Sequence, residues 1–176
     1  MKKKKSTGRE IFEWIVMICS AIILALIIKT FLLSSTLVSG VSMEPTLETN
    51  DKLFVNKVSF LVDNVERGDI VEFHNPNNEG EDFIKRVIGI EGDIVEIRDN
   101  KVYVNGNMLK EDYTSSNGET IYYNENRWEI GKGKVFVLGD NRPRSNDSRS
   151  FGPISKKSIV GIAFFRYSPL SKIGKI

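Results

Sequence analysis

The apolar residues of this 176-residue chain form one long run near the N-terminus and, after it, short runs separated by polar and turn-forming residues. From residue 11 to residue 33 the sequence is IFEWIVMICSAIILALIIKTFLL. A helix needs about 20 mostly apolar residues to cross a lipid bilayer. The run therefore predicts a membrane anchor helix over residues 11–33, with Trp14 at one interface and Lys29 reaching toward the other.

The residues around this run predict its orientation. Four lysines, Lys2 to Lys5, precede it, and positive charge favours the cytoplasmic side. We expect residues 1–10 to form a basic cytoplasmic tail and residues 34–176 to lie outside. A cleaved signal peptide is an alternative, although the run is long and SSTLVSG after it lacks an Ala-x-Ala site. A buried helix of a soluble protein is another.

Beyond residue 33, seven short runs predict β-strands, because they are rich in β-branched and aromatic residues and bounded by Gly, Asn, Asp or Pro. They are DKLFVNKVSF, DIVEF, DFIKRVIGI, DIVEIRD, KVYVNG, KVFVLGD and SIVGIAFFR. RDNKVYVNG predicts a hairpin that turns at Asp99-Asn100 and whose second strand ends at Asn105-Gly106. Residues 110–133 are polar and turn-rich, which predicts an insertion or small subdomain. The fold class is therefore mostly β: an antiparallel domain over residues 34–176, after a single N-terminal membrane helix.

Composition and charge exclude several classes of function. Only six of the 25 basic and two of the 23 acidic residues precede residue 34, so the remainder is slightly acidic. That balance argues against nucleic acid as a partner. The single cysteine, Cys19, excludes an intramolecular disulfide. There is no Cys/His cluster for zinc and no G-x-x-x-x-G-K-[ST] phosphate loop, so we expect no metal and no cofactor.

Few arrangements remain for hydrolytic chemistry. His74 is the only histidine, and a Ser-His-Asp triad would have to use it. No serine lies in a G-x-S-x-G or an S-x-x-K motif. The remaining possibility is a serine activated by a lysine whose pKa is lowered by burial. Lys85 in DFIKRVIGI has this character, since a period of two places it on one strand face with Phe83 and Val87.

Plainer interpretations of the same residues stay open at this point. A strand lysine commonly reaches solvent or an acid, and Ser42 in VSGVSMEPTL is compatible with a simple turn residue. LGDNRPRSNDSRSFG is compatible with a solvated loop held by Asx turns. The alternatives in function are a non-enzymatic membrane-anchored β-domain and a hydrolase that depends on His74.

Taken together and in order, these stretches resemble the bacterial type I signal peptidases, membrane-anchored Ser-Lys proteases that remove signal peptides from exported proteins. The matching segments are SGVSMEPTL (39–47), RGDIVEF (67–73), DFIKRVIGIEGD (82–93) and GDNRPRSNDSRSFG (139–152). The short anchor and compact domain are similar to the Gram-positive branch. Self-cleaving repressors have a related Ser-Lys β-domain, but this chain has an apolar run where a repressor has DNA-binding helices.

The resemblance implies roles for individual residues. Ser42 would be the nucleophile and Lys85 the general base. The resemblance further implies that Ser145 orients the lysine ammonium. Three residues would support the site: Asp140, Asp147 and Arg149. Three others would shape the turn that presents the nucleophile: Met43, Pro45 and Thr46.

The resemblance also implies how a substrate is held. Gly40 stands where part of the family has a serine, so the oxyanion is expected to rely on the backbone N–H of Ser42. An extended substrate with Ala-like side chains at the first and third positions before the cut would contact Val38 and Ile84. The implied partners are signal peptides of exported preproteins and the lipid bilayer, near the secretion translocon. The implied location is the cell membrane, with one membrane pass.

Overall fold

A computed structural model of the chain describes residues 7–27, 32–58, 65–78, 80–114 and 119–176. Its first element is helix α1 (Thr7–Ile27). Within the described ranges, no helix combines the length and the apolar character needed to cross a membrane. Residues 1–6 of the expected tail and residues 28–31 of the expected anchor lie outside the described residues.

Most of the regular structure in the described part of residues 32–176 is strand, and every strand pairing there is antiparallel, which confirms the predicted mostly β fold. The strands are β1 (Leu33–Leu37), β2 (Lys52–Asn56), β3 (Ile70–His74), β4 (Asp82–Gly89), β5 (Ile94–Arg98), β6 (Lys101–Val104), β7 (Asn107–Met108), β8 (Arg127–Glu129), β9 (Lys134–Leu138), β10 (Ile154–Ser155), β11 (Ile159–Ser168) and β12 (Gly174–Lys175). A one-turn helix, α2 (Ser148–Phe151), and three 3₁₀ turns complete the described elements: Arg142–Arg144, Lys156–Ser158 and Leu170–Lys172.

Two sheets organise these strands. The larger has the order β1-β2-β11-β3-β4-β9-β10, with β12 paired to β11, and the smaller has the order β7-β6-β5-β8. Each of the seven predicted runs contains a strand. The predicted hairpin is confirmed, since Asp99 and Asn100 both have positive φ, as a two-residue type I′ turn requires.

Strand β1 corrects one predicted boundary. Leu33, expected as the last residue of the anchor helix, is the first residue of β1, where it pairs with Asn56 of β2. The sequence LSSTL has no alternation of apolar and polar residues that would predict a strand. Its extended conformation instead depends on the five-residue pairing with β2, the next strand along the chain.

Strand β9 links the two main cores because it is buried on both faces. Val135 and Val137 pack into a core with β3 and β4, whereas Phe136 and Leu138 pack into a second core beneath the smaller sheet. A third core contains Met43 and lies under the segment between β1 and β2. The loop after β9 is thereby held between rigid layers, next to that segment.

Candidate active site

Ser42 lies in the turn-rich segment that connects β1 to β2. Two hydrogen bonds close this segment, from the Val38 N–H to the Asp51 carbonyl at 2.8 Å and from the Asn50 N–H to the Val38 carbonyl at 2.9 Å. Met43 is buried, so the residue after the serine fixes the turn to the core. Gly40 has a φ of +93°, a conformation that side chains rarely adopt. That backbone conformation is a physical reason for glycine where part of the resembled family has a serine.

The Lys85 side chain reaches Ser42 from strand β4. Its Nζ donates to Ser42 Oγ at 2.8 Å and to the carbonyl of Ile84 at 3.1 Å. Lys85 is only 4% exposed, and its Nζ lies 4.9 Å from the centre of the Phe83 ring. The structure thus brings the two residues predicted as nucleophile and base into direct contact, although 43 residues separate them in sequence.

Burial sets the electrostatic state of this lysine. Removal of the ammonium from water lowers the pKa of Lys85 from 10.5 to about 8. Three carboxylates act in the opposite direction and raise the same pKa, in the order Asp147, Glu81 and Asp140. Desolvation is the larger effect, so a substantial fraction of Lys85 is neutral and able to accept a proton near pH 8.

A cavity of about 470 Å³ opens beside the Ser42–Lys85 pair. Both residues line it, and so do Val38 and Ile84, the two residues expected to contact substrate. Among the described residues, the backbone N–H of Ser42 has no hydrogen-bond acceptor. The arrangement offers a hydroxyl, a base and a backbone donor at one surface of a groove large enough for a peptide.

Ser145 lies beside Ser42, but it is not hydrogen-bonded to Lys85 in this structure. Gly139 brings the two serines together, since a Cβ at position 139 would collide with Ser145 Oγ and with the carbonyl oxygen of Ser42. The Ser145 hydroxyl is buried and has no hydrogen-bond partner among the described residues. It is therefore a free polar group next to the site.

Asp147 and Arg149 form a fully buried pair. Arg149 donates from Nε to Asp147 Oδ1 and from Nη2 to Asp147 Oδ2, both at 2.8 Å. Asp147 Oδ2 also accepts from the Gly139 N–H at 3.1 Å. The pair thus fixes the loop that carries Ser145 to the end of strand β9.

Asp140 connects the segment that carries Ser42 to strand β4. It accepts hydrogen bonds from Arg86 Nε at 2.9 Å, from Arg86 Nη2 at 2.7 Å and from Thr46 Oγ1. Asp140 is completely buried and Arg86 is nearly so. This contact assigns Thr46, one of the expected turn-shaping residues, a definite partner.

Sequence reasoning missed two further residues that hold the turn around Ser42 and the loop after β9. Asn141 donates its backbone N–H to the Ser42 carbonyl and its Nδ2 to the Val41 carbonyl, each at 3.0 Å. Arg142 is buried, donates to the Gly139 carbonyl at 3.0 Å and forms an ion pair with Glu111. Asn141 could have been identified as a site residue from the sequence, because it follows Asp140 directly. Nothing in the sequence connects Arg142 with Glu111, 31 residues away.

His74 occupies a different position from the Ser42–Lys85 pair. Its side chain is 59% exposed and its Nδ1 lies 2.7 Å from Asp82 Oδ1. Within the described residues it makes no hydrogen bond to Ser42, and it is absent from the cavity lining. This geometry favours the lysine over the histidine as the group that activates Ser42.

Comparisons with known proteins show the family of this chain. The family described as "Signal peptidase, peptidase S26" matches residues 11–168. The chain is 38% identical to the signal peptidase I of Bacillus licheniformis, over 99% of both chains, and 38% identical to the signal peptidase IB of Staphylococcus aureus strain COL, over 93% of both. A crystal structure of a signal peptidase I from Enterococcus faecalis V583 aligns with 40% identity over 56% of this chain and 95% of that chain, with a TM-score of 0.47. Since the family match extends over most of the chain, and relatives above 30% identity span nearly all of it, the chain belongs to the signal peptidase family, peptidase S26, and is a hydrolase.

Proposed function

We propose that this chain is a membrane-bound serine endopeptidase that removes N-terminal signal peptides from exported preproteins, with Ser42 as nucleophile and Lys85 as general base. The observation that carries the proposal is the 2.8 Å contact between Lys85 Nζ and Ser42 Oγ, made by a buried lysine at the wall of a peptide-sized cavity. The names of the 38% identical relatives support the substrate class.

The chemistry follows from the two protonation states of Lys85. Neutral Lys85 takes the proton of Ser42 Oγ as this oxygen attacks the carbonyl carbon of the last signal-peptide residue. The resulting oxyanion accepts a hydrogen bond from the backbone N–H of Ser42. Protonated Lys85 gives its proton to the leaving amine, and the neutral lysine then activates the water that hydrolyses the ester on Ser42.

The surrounding residues have supporting roles in this proposal. Ser145 accepts a hydrogen bond from the ammonium of Lys85 in the protonated state, for which its unpartnered hydroxyl is suitable. Asp140, Asp147 and Arg149 brace the two loops. The substrate lies extended along the cavity, where Val38 and Ile84 contact it.

We further propose that the apolar run from residue 11 up to the start of β1 anchors the chain in the cytoplasmic membrane, with residues 1–10 in the cytoplasm and the β-domain at the outer face. In support, large apolar side chains of α1 are more than half exposed, which is unfavourable in water. Ser42 lies nine positions after Leu33. Fully extended, this stretch spans at most about 30 Å, so the nucleophile works near the bilayer, where a signal peptide presents its cleavage site.

The test is cleavage of a preprotein by the purified full-length chain in lipid vesicles. We expect one cut, at the junction between signal peptide and mature protein, as determined by the mass and the new N-terminus of the product. The same mature protein without its signal peptide is the matched control and is expected to stay intact. Cuts scattered over both proteins, or no cut at all, would contradict the proposed substrate class.

The pH dependence of cleavage should report the ionisation of Lys85. Since only neutral Lys85 accepts a proton, kcat/KM is expected to rise with pH, with an apparent pKa of about 8. Glu81 raises the pKa of Lys85, so Glu81→Gln should move this rise to lower pH. Glu129→Gln removes the same charge at an exposed site in the smaller sheet and should leave the curve in place. A curve that moves to higher pH in Glu81→Gln would contradict the assignment of Lys85 as base.

A further inference from the structure

Glu72 is a buried carboxyl group in the cavity that the proposed reaction does not use. It lies on strand β3, is 5% exposed, and lines the same cavity as Ser42 and Lys85. In the pairing of β3 with β4 it stands directly opposite Ile84, the residue before the proposed base. Residues opposite each other in an antiparallel pair share one sheet face, so Glu72 and Ile84 form adjacent parts of the cavity wall.

The contacts of Glu72 fix one of its oxygens and leave the other available. Thr36 on strand β1 donates from Oγ1 to Glu72 Oε1 at 2.6 Å. Among the described residues, no hydrogen bond reaches Glu72 Oε2 and no Lys, Arg or His forms an ion pair with this carboxyl group. The Thr36 contact holds the carboxyl group in place without neutralising it.

The ionised form of Glu72 is energetically unfavourable in this buried position unless a cation lies close to it. Burial raises the pKa of Glu72, against smaller opposing effects of Thr36, Lys57 and His74. Two more carboxylates, Glu81 and Asp82, line the same cavity. The cations of the lining are Arg144, which is exposed, and Lys85, which has to be neutral at the start of the reaction. A cation supplied by the substrate would compensate Glu72 with a charge-assisted hydrogen bond.

We propose that Glu72, held by Thr36, is a specificity-determining residue that binds a positively charged side chain of the preprotein near the cleavage site. This inference rests on the proposed function, because it assumes that the cavity receives the substrate. In an extended peptide, successive side chains point to opposite sides. A single residue of the substrate therefore faces the subsite formed by Thr36 and Glu72, next to Ile84.

The experiment compares lysine with norleucine, which has the same aliphatic stem and no charge. A preprotein-derived peptide is made with one or the other at each of the five positions before the cut, and kcat/KM is measured for the wild-type chain and for Glu72→Gln. Gln keeps the shape and the acceptor for Thr36, and the norleucine rate of each variant is its own reference. We expect one position at which the wild type prefers lysine, and a fall of this preference by about tenfold or more in Glu72→Gln.

A control variant and a binding measurement complete the test. Glu129→Gln has the same change of charge away from the cavity and should retain the full lysine preference. A lysine-to-norleucine ratio that is the same in wild type and Glu72→Gln at all five positions would overturn the proposal. The affinity of the same peptides for the Ser42→Ala chain separates this inference from the proposed function. If the lysine peptide bound in a Glu72-dependent way but the wild type did not cleave it, the subsite would be retained and the peptidase reaction on that substrate would be rejected.

Discussion

Replacing Ser42 with Ala or Lys85 with Met is expected to reduce the rate of preprotein cleavage by about a thousandfold or more, while the chain stays folded. Ala at position 42 removes the atom that attacks the carbonyl carbon, and Met at position 85 removes the base that activates it. The measurement is single-turnover cleavage with each variant in excess over the preprotein. Folding is checked by circular dichroism of the same samples.

The Lys85→Met substitution is also expected to change the free energy of unfolding. A pKa lowered from 10.5 to about 8 means that the fold disfavours the charged lysine by about 3 kcal/mol. Below pH 8 this destabilisation of the wild type is present in full. Between about pH 8 and 10.5 the unfolded chain binds more protons than the folded one, so the free energy of unfolding rises with pH and the destabilisation disappears. Met has no charge, so the free energy of unfolding at pH 7 should rise by up to about 3 kcal/mol, and the gain should vanish near pH 10.5. Urea titrations at both pH values measure it.

The variant His74→Ala is the control for the lysine mechanism. His74 is exposed and contacts Asp82 at the end of β3, so its loss should leave most of the cleavage rate intact. If His74→Ala were as inactive as Lys85→Met, a histidine-dependent hydrolase would be the better description. If Lys85→Met still cleaved at more than about a tenth of the wild-type rate, the proposed dyad would be wrong.

The second large effect is expected from Asp147→Asn. Asp147 and Arg149 are both almost completely inaccessible, and loss of one charge leaves the other buried without compensation. Breaking such a pair costs about 3–5 kcal/mol. For a chain of this size, that loss corresponds to a fall in Tm of roughly 10 °C. Thermal unfolding followed by circular dichroism measures it. Cleavage should fall as well, because Asn has a single acceptor oxygen where the two oxygens of Asp147 accept from Gly139 and Arg149.

An exposed ion pair provides the matched comparison for this variant. Lys110 and Asp112 lie 2.8 Å apart, with side chains 85% and 76% exposed. Exposed pairs of this kind contribute about 0–1 kcal/mol, so Asp112→Asn should leave Tm nearly unchanged. An Asp147→Asn chain as stable as Asp112→Asn would show that Arg149 finds another partner and that the buried pair does not hold the loop.

Much of the fold was predictable because its signals are local. Short runs rich in β-branched and aromatic residues predicted seven strands, and Asp99-Asn100 predicted a hairpin turn that needs positive φ at both positions. The polar strand β1 was missed, since its extended conformation comes from pairing with β2 rather than from its own residues. The smaller sheet was predictable only in part, because β8 lies inside the polar region of residues 110–133.

The sequence by itself determined the chemical character of single residues: a lysine in an apolar strand, and a serine in a turn bounded by Gly40 and Pro45. These properties depend on neighbours a few residues away, so they can be predicted from the local residue types and from the side-chain period of a strand. Only the tertiary structure decided which distant groups meet. The contacts of Lys85 with Ser42, of Arg142 with Glu111 and of Glu72 with Thr36 join segments between 31 and 43 residues apart. Such contacts follow from strand order and pairing register, which are set when the apolar faces of several strands pack together and which no single segment encodes.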